Sequence, residues 1–340
     1  MKILIVKLSS IGDVVHTLPS LYALKKGFDK KGVPSEIDWL VEESASSILR
    51  GNPLINNLIV VKNRGWTRDS KVNIRTVRFL ASRRYDMVLD FQGLFKSAVW
   101  VGLSKAGRRI GFSNSRELSY LFLNERVAAY DPDKHAVDRY LDLARYAGGE
   151  ASGVEFPLNI GKEDIRSVKT ILEKNGIETA TGSFCIMVPT ARWSTKLWEK
   201  KKFIELGKKL YSRRSLRVLI TGSGGERGKV ERIRAGIGEG AYNVAGLFDL
   251  KGLAALMKLA GFAVTVDSGP MHIAAAAGLP VIALFGPTSA HRTGPYGEGH
   301  IVVSSGLGCS PCFRKTCPDP RCMKEITVED VLDAVFRLLG

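Results

Sequence analysis

Short β-rich runs alternate with amphipathic helical segments along most of the chain, and this alternation limits the possible folds more than any other feature. Strands that are separated by helices in this way pair in parallel, because each helix crosses the sheet before the next strand begins. In the first half of the chain we predict a helix over residues 73–84 and strands over residues 3–6, 37–41, 58–61 and 87–90. The sequence therefore predicts an α/β protein built on parallel sheets.

The alternation is interrupted between residues 147 and 161, where glycines, a serine and Pro157 predict a linker. It resumes with a predicted helix over residues 163–174 and strands over residues 184–188, 217–221, 262–266 and 281–285. A chain of 340 residues is long enough for two domains of ordinary size. We therefore predict two Rossmann-like domains with an interdomain cleft, at residues 1–155 and 162–325, followed by a C-terminal segment at residues 326–340.

The chain is strongly basic, with 50 lysines and arginines against 34 acidic residues and a formal charge of +16. This charge attracts polyanions, which include nucleic acids, anionic membrane faces and phosphorylated small molecules. The longest apolar run, residues 273–286, is interrupted by Pro280 and is too short to predict a membrane-spanning helix. The five cysteines predict no disulfide framework, and the N-terminal residues do not resemble a signal peptide. We expect a cytoplasmic protein.

The loop after the first strand is a candidate binding segment, because ligands of parallel α/β sheets bind beyond the carboxyl ends of the strands. It contains Ser9, Ser10 and Gly12, small residues that leave room for a ligand beside the backbone. Asp13 follows at the start of a predicted helix. It has two interpretations: a general base, or an acid that only stabilises the N-terminus of that helix.

Two loops in the second half carry charged residues after predicted strands. Arg192 and Lys196 follow the strand at 184–188 together with three hydroxyl groups, a composition that suits a phosphate, although both could be ordinary surface charges. The glycine-rich loop at 222–229 matches neither the dinucleotide fingerprint nor the P-loop. Its Glu226 either accepts hydrogen bonds from a ribose or stabilises the start of a helix.

A third segment, residues 266–272, joins a buried strand to an alanine-rich helix. Ser268 and Gly269 lie at the predicted N-terminus of this helix, where free backbone N–H groups form an anion site. Thr288 follows the next strand along the chain, and we interpret His272 as a packed helix residue.

Seven short motifs, spread over nearly the whole chain, together resemble one known family. They are KILIVK (2–7), SSIGDVVHTLP (9–19), EE (42–43), DFQGLFKS (90–97), the loop from Lys196 to Trp198, DSG (267–269) with His272, and FGPT (285–288). In this order they resemble the lipopolysaccharide heptosyltransferases of glycosyltransferase family 9, and the heptosyltransferase I branch most closely.

This resemblance implies a fold and a reaction. It implies the GT-B fold, with an acceptor-binding domain at 1–155, a nucleotide-sugar-binding domain at 162–325, and a C-terminal helix at 326–340 that crosses back toward the first domain. It implies transfer of heptose from ADP-L-glycero-β-D-manno-heptose to the Kdo of the lipid A inner core, with inversion at the anomeric carbon.

The resemblance also implies roles for individual residues. Asp13 is then the general base. The donor phosphates are bound by Lys196, Arg192, Ser268 and Gly269. The donor nucleoside and sugar are contacted by Glu226, Asp267 and Thr288, and the acceptor side is formed by Ser10, Gly12, Gln92 and Lys96. Because a lysine and a helix N-terminus can stabilise the departing diphosphate, the reaction is expected to need no metal or other cofactor.

Two patterns resemble metal-binding sequences. Asp131-Pro132-Asp133 has the D-x-D spacing used by other glycosyltransferases, but its turn-forming neighbours predict a surface turn. Cys309, Cys312, Cys317 and Cys322 are close enough in sequence for a zinc site, although only one C-x₂-C pair is present. Reduced thiols or a local disulfide are the alternatives.

Several functional alternatives remain open at the level of sequence. Residues 192–194 depart from the usual pattern of the heptosyltransferase I branch, so another heptose acceptor, as in heptosyltransferases II and III, or another nucleotide sugar is an alternative. A nucleic-acid-binding protein would be expected to show a recognition motif, and an oxidoreductase an intact dinucleotide fingerprint. We expect a monomer that contacts the cytoplasmic face of the inner membrane peripherally, through basic clusters such as Arg83-Arg84 and Arg108-Arg109.

Overall fold

A computed structural model describes the chain except for residues 63–69 and 178–179. The chain divides into two compact units, residues 1–159 and 160–340, and the division lies within the irregular segment after residue 146. Within the described ranges, no helix has the length and apolar composition needed to cross a bilayer.

The first unit is built on one parallel sheet of six strands in the order β3-β2-β1-β4-β5-β6. The strands are β1 (Lys2–Val6), β2 (Glu36–Glu42), β3 (Asn57–Val61), β4 (Met87–Asp90), β5 (Arg108–Phe112) and β6 (Glu125–Val127). The helices are α1 (Ile11–Lys30), α2 (Glu43–Ser46), α3 (Ser70–Arg83), α4 (Phe95–Leu103) and α5 (Ala136–Tyr146). The central strands β1 and β4 are buried on both faces, as expected for a sheet that is covered by helices on each side.

The second unit repeats this topology with a sheet in the order β12-β11-β10-β7-β8-β9. Its strands are β7 (Phe184–Val188), β8 (Arg217–Ile220), β9 (Ala241–Asn243), β10 (Phe262–Val266), β11 (Val281–Phe285) and β12 (Ile301–Ser304). Its helices are α6 (Lys162–Lys174), α7 (Lys200–Arg214), α8 (Arg227–Ile237), α9 (Leu250–Met257), α10 (Gly269–Ala276), α11 (Ala290–Thr293), α12 (Arg321–Lys324) and α13 (Val328–Leu339).

The two sheets have the same doubly wound strand order, which confirms the predicted pair of Rossmann-like parallel-sheet domains. In this order the second and third strands lie on one side of the first strand, and the fourth, fifth and sixth lie on its other side. The direction in which strands are added therefore reverses between the first and fourth strands of each sheet. These reversal points lie between β1 and β4 in the first unit and between β7 and β10 in the second. Ligands of such sheets bind at this point, beyond the carboxyl ends of the strands.

The C-terminal helix α13 packs on α7, β11 and β12 of the second unit. Its apolar face supplies Val328, Val331, Leu332 and Val335 to the core of that unit. Thr327 begins the helix, and Asp330 accepts a hydrogen bond from the Thr327 N–H at 2.8 Å. The crossing of this helix toward the first domain stays a prediction.

The predicted strands are present at all eight positions, with ends that differ by at most one residue. Four strands, β5, β6, β9 and β12, were not predicted. They lie toward the edges of their sheets and are short or rich in polar residues, as in Glu125-Arg126-Val127. The apolar signal that identifies a buried strand is therefore weak in them.

Candidate functional site

The loops at the reversal point of the first sheet bring together residues from the ends of β1 and β4. The loop after β1 leads into α1, where Ser10 is the N-terminal cap and Asp13 lies in the first turn. Gly12 is buried in the same turn of α1. Gln92 lies in the loop after β4, and Lys96 lies in the first turn of α4. All five predicted residues thus follow β1 or β4, beyond the carboxyl ends of the strands, where ligands of this fold bind.

Asp13 is held by hydrogen bonds from two directions. Its Oδ2 accepts from the Ser10 backbone N–H at 3.0 Å and from the Ser10 hydroxyl at 2.8 Å. Its Oδ1 accepts from the Tyr140 hydroxyl at 3.3 Å. The carboxylate therefore stabilises the start of α1, which is one of the two roles considered from the sequence. It is also fixed in orientation and only partly buried. These properties are compatible with a role as base.

Gln92 and Lys96 support the loop after β1. The Gln92 Oε1 accepts hydrogen bonds from the backbone N–H groups of Leu8 and Ser9, at 3.2 and 3.0 Å. Lys96 donates to the Ser9 hydroxyl at 2.9 Å and pairs with Glu42 at 2.7 Å. Both side chains therefore hold the loop that leads into α1, the helix that carries Asp13.

Two residues near Asp13 were missed by the sequence analysis. Lys7 directly follows β1 and is only 2% exposed, and its Nζ donates to the Phe91 carbonyl at 2.9 Å and to the Tyr140 hydroxyl at 2.7 Å. A lysine directly after a run of four apolar residues was the one available signal for it. Tyr140 gave none, because a tyrosine in an amphipathic helix is ordinary.

At the reversal point of the second sheet, three predicted residues from three different loops are in direct contact. Lys196 pairs with Asp267 at 2.6 Å, and both side chains are largely buried. The Thr288 hydroxyl donates to the same Asp267 oxygen at 2.6 Å. The Lys196 ammonium also lies 4.6 Å from the centre of the Trp193 ring. The loops after β7, β10 and β11 therefore meet around one cation.

Ser268 and Gly269 begin α10 directly after Asp267. The Ser268 hydroxyl is a buried oxygen that has no hydrogen-bond partner in the described part of the chain. The first N–H groups of a helix have no partner within the helix itself, so this segment can donate to an anion.

Two predicted donor residues lie outside this group. Glu226 Oε2 accepts from the Ser223 N–H at 2.8 Å and from the Ser223 hydroxyl at 2.7 Å, so in this structure it stabilises the start of a helical segment. Arg192 is exposed and is separate from the ion pair of Lys196. His272 is buried in α10, as interpreted from the sequence.

The cysteine-containing segment 309–322 packs beside the loops of Lys196 and Thr288. The N–H groups of Cys312 and Phe313 donate to the Pro287 carbonyl at 3.1 and 2.7 Å, and the Thr195 hydroxyl donates to the Arg314 carbonyl at 2.9 Å. All four cysteines of the segment are free thiols, and burial raises the pKa of Cys322. Among the described residues, no group of three or more histidine, cysteine or acidic side chains is arranged to hold a metal ion.

Asp131 and Asp133 form the surface turn that the sequence predicted. Both are exposed, and the Asp133 N–H donates to the Asp131 carboxylate at 2.8 Å. One arginine of each of two basic clusters is paired with acidic residues of the protein. Arg83 pairs with Glu36 and Asp38, and Arg108 makes a two-point contact with Glu125.

The family is decided by comparison with known proteins. The model of glycosyltransferase family 9 (heptosyltransferase) matches residues 74–322. The chain belongs to glycosyltransferase family 9. It is therefore a glycosyltransferase, as the sequence predicted, and the nucleic-acid-binding and oxidoreductase alternatives are set aside.

The relatives of this family 9 chain include enzymes of the heptosyltransferase I branch. It is 30% identical over 326 residues to lipopolysaccharide heptosyltransferase 1 of Pseudomonas aeruginosa PAO1, a match that covers 93% of this chain and 87% of the relative. The structure of E. coli heptosyltransferase WaaC with ADP has a TM-score of 0.78 at 25% identity and covers 99% of this chain and 100% of that one. The structure of WaaC with ADP-2-deoxy-2-fluoro heptose has a TM-score of 0.76, again at 25% identity, with 99% of each chain covered. The predicted GT-B fold and the predicted branch are thereby confirmed.

Proposed function

We propose that this enzyme transfers L-glycero-D-manno-heptose from ADP-heptose to the Kdo of the lipopolysaccharide inner core, with inversion at the anomeric carbon. The observation that carries this proposal is the contact among Lys196, Asp267 and Thr288 at the reversal point of the second sheet. It places a cation where a doubly wound sheet binds phosphates. The WaaC complexes with ADP and with a fluorinated ADP-heptose support the same class of donor.

Inversion requires one base and no covalent intermediate. As the acceptor hydroxyl oxygen forms its bond to the anomeric carbon, its proton passes to Asp13, and the bond from that carbon to the diphosphate oxygen breaks with both electrons leaving on ADP. Ser10 holds one carboxylate oxygen of Asp13 and Tyr140 contacts the other, so the base is oriented before the acceptor binds. Positioned acid–base catalysis of this kind contributes roughly 10²–10⁴-fold to a rate.

The departing ADP gains negative charge, and the second unit supplies groups that stabilise it. Lys196 provides a positive charge, and the N-terminus of α10 at Ser268 and Gly269 provides N–H donors. When the donor binds, we expect its diphosphate to accept from Lys196, which then shares its ammonium between Asp267 and the phosphates. Arg192, Glu226 and Thr288 remain candidates for contacts to the phosphates, the nucleoside and the sugar. With these groups, the reaction needs no metal ion.

Donor binding can be measured without the acceptor. We expect ADP-heptose to raise the melting temperature of the protein, because a ligand that binds only the folded state stabilises it, and NAD at the same concentration to give no comparable rise. Lys196→Met should abolish the rise. Lys200→Met, which changes an exposed lysine at the start of α7, is the matched control and should keep it. Equal rises with ADP-heptose and NAD would contradict the donor assignment.

The first unit also carries a surface suited to the membrane that holds a lipid acceptor. Three large apolar side chains of the first unit are more than half exposed, one at the start of α4 and two in the segment after β5: Phe95 (52%), Leu118 (58%) and Leu121 (62%). The rings of Phe95 and Phe122 are 6.1 Å apart, which joins the start of α4 to the segment after β5. Arg116 and Arg126 are exposed in the same segment. We propose that this surface contacts the anionic cytoplasmic face of the inner membrane and that the enzyme acts as a monomer.

This membrane contact can be tested by sedimentation with vesicles. We expect the protein to pellet with vesicles that contain phosphatidylglycerol and to remain in solution with neutral vesicles, since each cation near an anionic surface adds about 1 kcal/mol. Leu118→Asp combined with Leu121→Asp should reduce the pelleted fraction. Leu339→Asp, which changes a 45% exposed leucine in the second unit, should not. Equal pelleting with neutral vesicles would contradict the proposal.

A further inference from the structure

A buried lysine beside the proposed base is not used by the mechanism given above. Lys7 directly follows β1 and is 2% exposed, and its Nζ donates to two uncharged groups, the Phe91 carbonyl and the Tyr140 hydroxyl. A buried ammonium is costly unless its surroundings stabilise it. Burial lowers the pKa of Lys7, and the nearby carboxylates of Asp13 and Asp90 act in the opposite direction. These contacts fix the ammonium beside Tyr140.

Tyr140 connects this lysine to Asp13. Its hydroxyl accepts from the Lys7 Nζ at 2.7 Å and donates to the Asp13 Oδ1 at 3.3 Å. The ring is held in place because Phe91 packs against it at nearly a right angle, with the ring centres 5.8 Å apart. Burial, followed by the charge of Asp13, raises the pKa of Tyr140 well above its ordinary value. Tyr140 therefore remains a phenol that can donate its proton in a hydrogen bond.

We propose that Tyr140 is a positioning residue for Asp13 and that Lys7 supports it, both through the hydroxyl of Tyr140 and by the direct attraction between its charge and the Asp13 carboxylate. This proposal rests on the proposed function of Asp13 as the base. The ammonium of Lys7 polarises the hydroxyl of Tyr140, and the polarised hydroxyl stabilises the ionised form of Asp13 and fixes the direction of its Oδ1. Tyr140 touches neither reacting atom and exchanges no proton with the substrate. Its effect is to keep the base ionised and oriented when the acceptor hydroxyl arrives.

Other titratable and charged groups surround this chain of hydrogen bonds. They are Asp90 at the end of β4, Lys96 in α4, Tyr130, and Arg139 in α5, which act on Lys7, on Tyr140 or on both. The helices that carry Asp13 and Tyr140 also bring His16 of α1 and His135, the N-terminal cap of α5, to 5.3 Å from each other, measured between the ring centres. The effect of Tyr140 must therefore be measured as a difference between proteins in which these groups are unchanged.

The experiment is the dependence of kcat on pH for the unmodified enzyme and for Tyr140→Phe. A hydrogen bond to the ionised form of an acid favours that form, so its loss favours the protonated form. We expect the pH at which the rate falls on the acidic side to rise by about one unit in Tyr140→Phe, and kcat at the optimum to fall by about tenfold, because one charge-assisted hydrogen bond is lost. The KM for the donor should stay the same.

Two further variants separate this role from a structural one. Lys7→Met should move the acidic limb in the same direction. Lys7→Met combined with Tyr140→Phe should shift it by less than the sum of the two single shifts, because part of the effect of Lys7 passes through the tyrosine. Tyr85→Phe is the matched control, since the Tyr85 hydroxyl donates to the Asp38 carboxylate at 2.7 Å in the same unit. It should lower the melting temperature and leave the pH profile unchanged.

An unchanged pH profile in Tyr140→Phe, an additive shift in the double variant, or an equal shift in Tyr85→Phe would each overturn the proposal. If the unmodified enzyme transfers no heptose, the proposed function fails instead. The two failures are therefore distinguishable.

Discussion

Replacement of Asp13 by asparagine is expected to lower kcat by about 10²–10⁴-fold and to leave the KM for the donor nearly unchanged. Asparagine has almost the same size as aspartate, and its carbonyl oxygen can still accept a hydrogen bond from Ser10, which contacts Asp13 at 2.8 and 3.0 Å. It cannot take the proton of the acceptor hydroxyl. Steady-state kinetics with both substrates, together with a melting curve, measure these effects.

A matched control for this variant lies at the start of α13. Asp330 accepts a hydrogen bond from the Thr327 N–H at 2.8 Å, in the same relation to its helix as Asp13 to α1. Asp330→Asn should therefore cost similar stability, about 0.5–1 kcal/mol, without loss of activity. If Asp13→Asn retains the turnover of the unmodified enzyme, Asp13 is not the base.

Replacement of Lys196 by methionine is expected to lower kcat/KM by about 10²–10³-fold, because a preorganised group that stabilises the leaving diphosphate is lost. It is also expected to destabilise the protein by about 3–5 kcal/mol, because Asp267 is left buried without its cation. Activity and thermal unfolding must therefore be measured on the same preparation.

A second substitution separates the two effects. In Lys196→Met combined with Asp267→Asn, no unpaired charge remains and the Thr288 hydroxyl can still donate to the new side chain. We expect the melting temperature to recover most of its loss and the activity to remain low. Recovery of activity together with stability would show that Lys196 acts only in folding.

The fold was predictable because its central strands are continuous apolar runs. Strands such as β7 and β10 are buried along their whole length, and their sequences are almost entirely apolar, which indicates a buried strand. The edge strands β6 and β9 have three residues each and contain polar groups, so their pairing depends on the neighbouring strand rather than on their own composition.

The site was predictable in its location and less so in its contacts. Asp13 and Lys196 were candidates because each follows a central strand of a parallel sheet, and the family resemblance added Asp267 and the role of Asp13 as base. The pairing of Lys196 with Asp267 depends on the adjacent positions of β7 and β10, which the linear sequence does not specify. Tyr140 could not be predicted for the same reason. It belongs to α5, which is far from Asp13 in the sequence, and the contact forms only because α5 packs on α1.

The role of the basic clusters was less predictable, because a sequence does not show which charges are paired. Arg83 and Arg108 have acidic partners and stabilise the first sheet. The membrane contact that we propose instead uses exposed apolar side chains in the segment that contains Arg116, together with Phe95.

The central claim is tested most directly by a transfer assay with purified protein. The protein is offered ADP-heptose, other nucleotide sugars, and lipid A acceptors that end in Kdo or already carry one heptose, in the presence and absence of EDTA. Mass spectrometry then identifies the product. We predict one added heptose on the Kdo acceptor, from ADP-heptose and unaffected by EDTA, with an α-linkage by NMR. Transfer only to the heptose-bearing acceptor, transfer from a different nucleotide sugar, or a β-linked product would contradict the account.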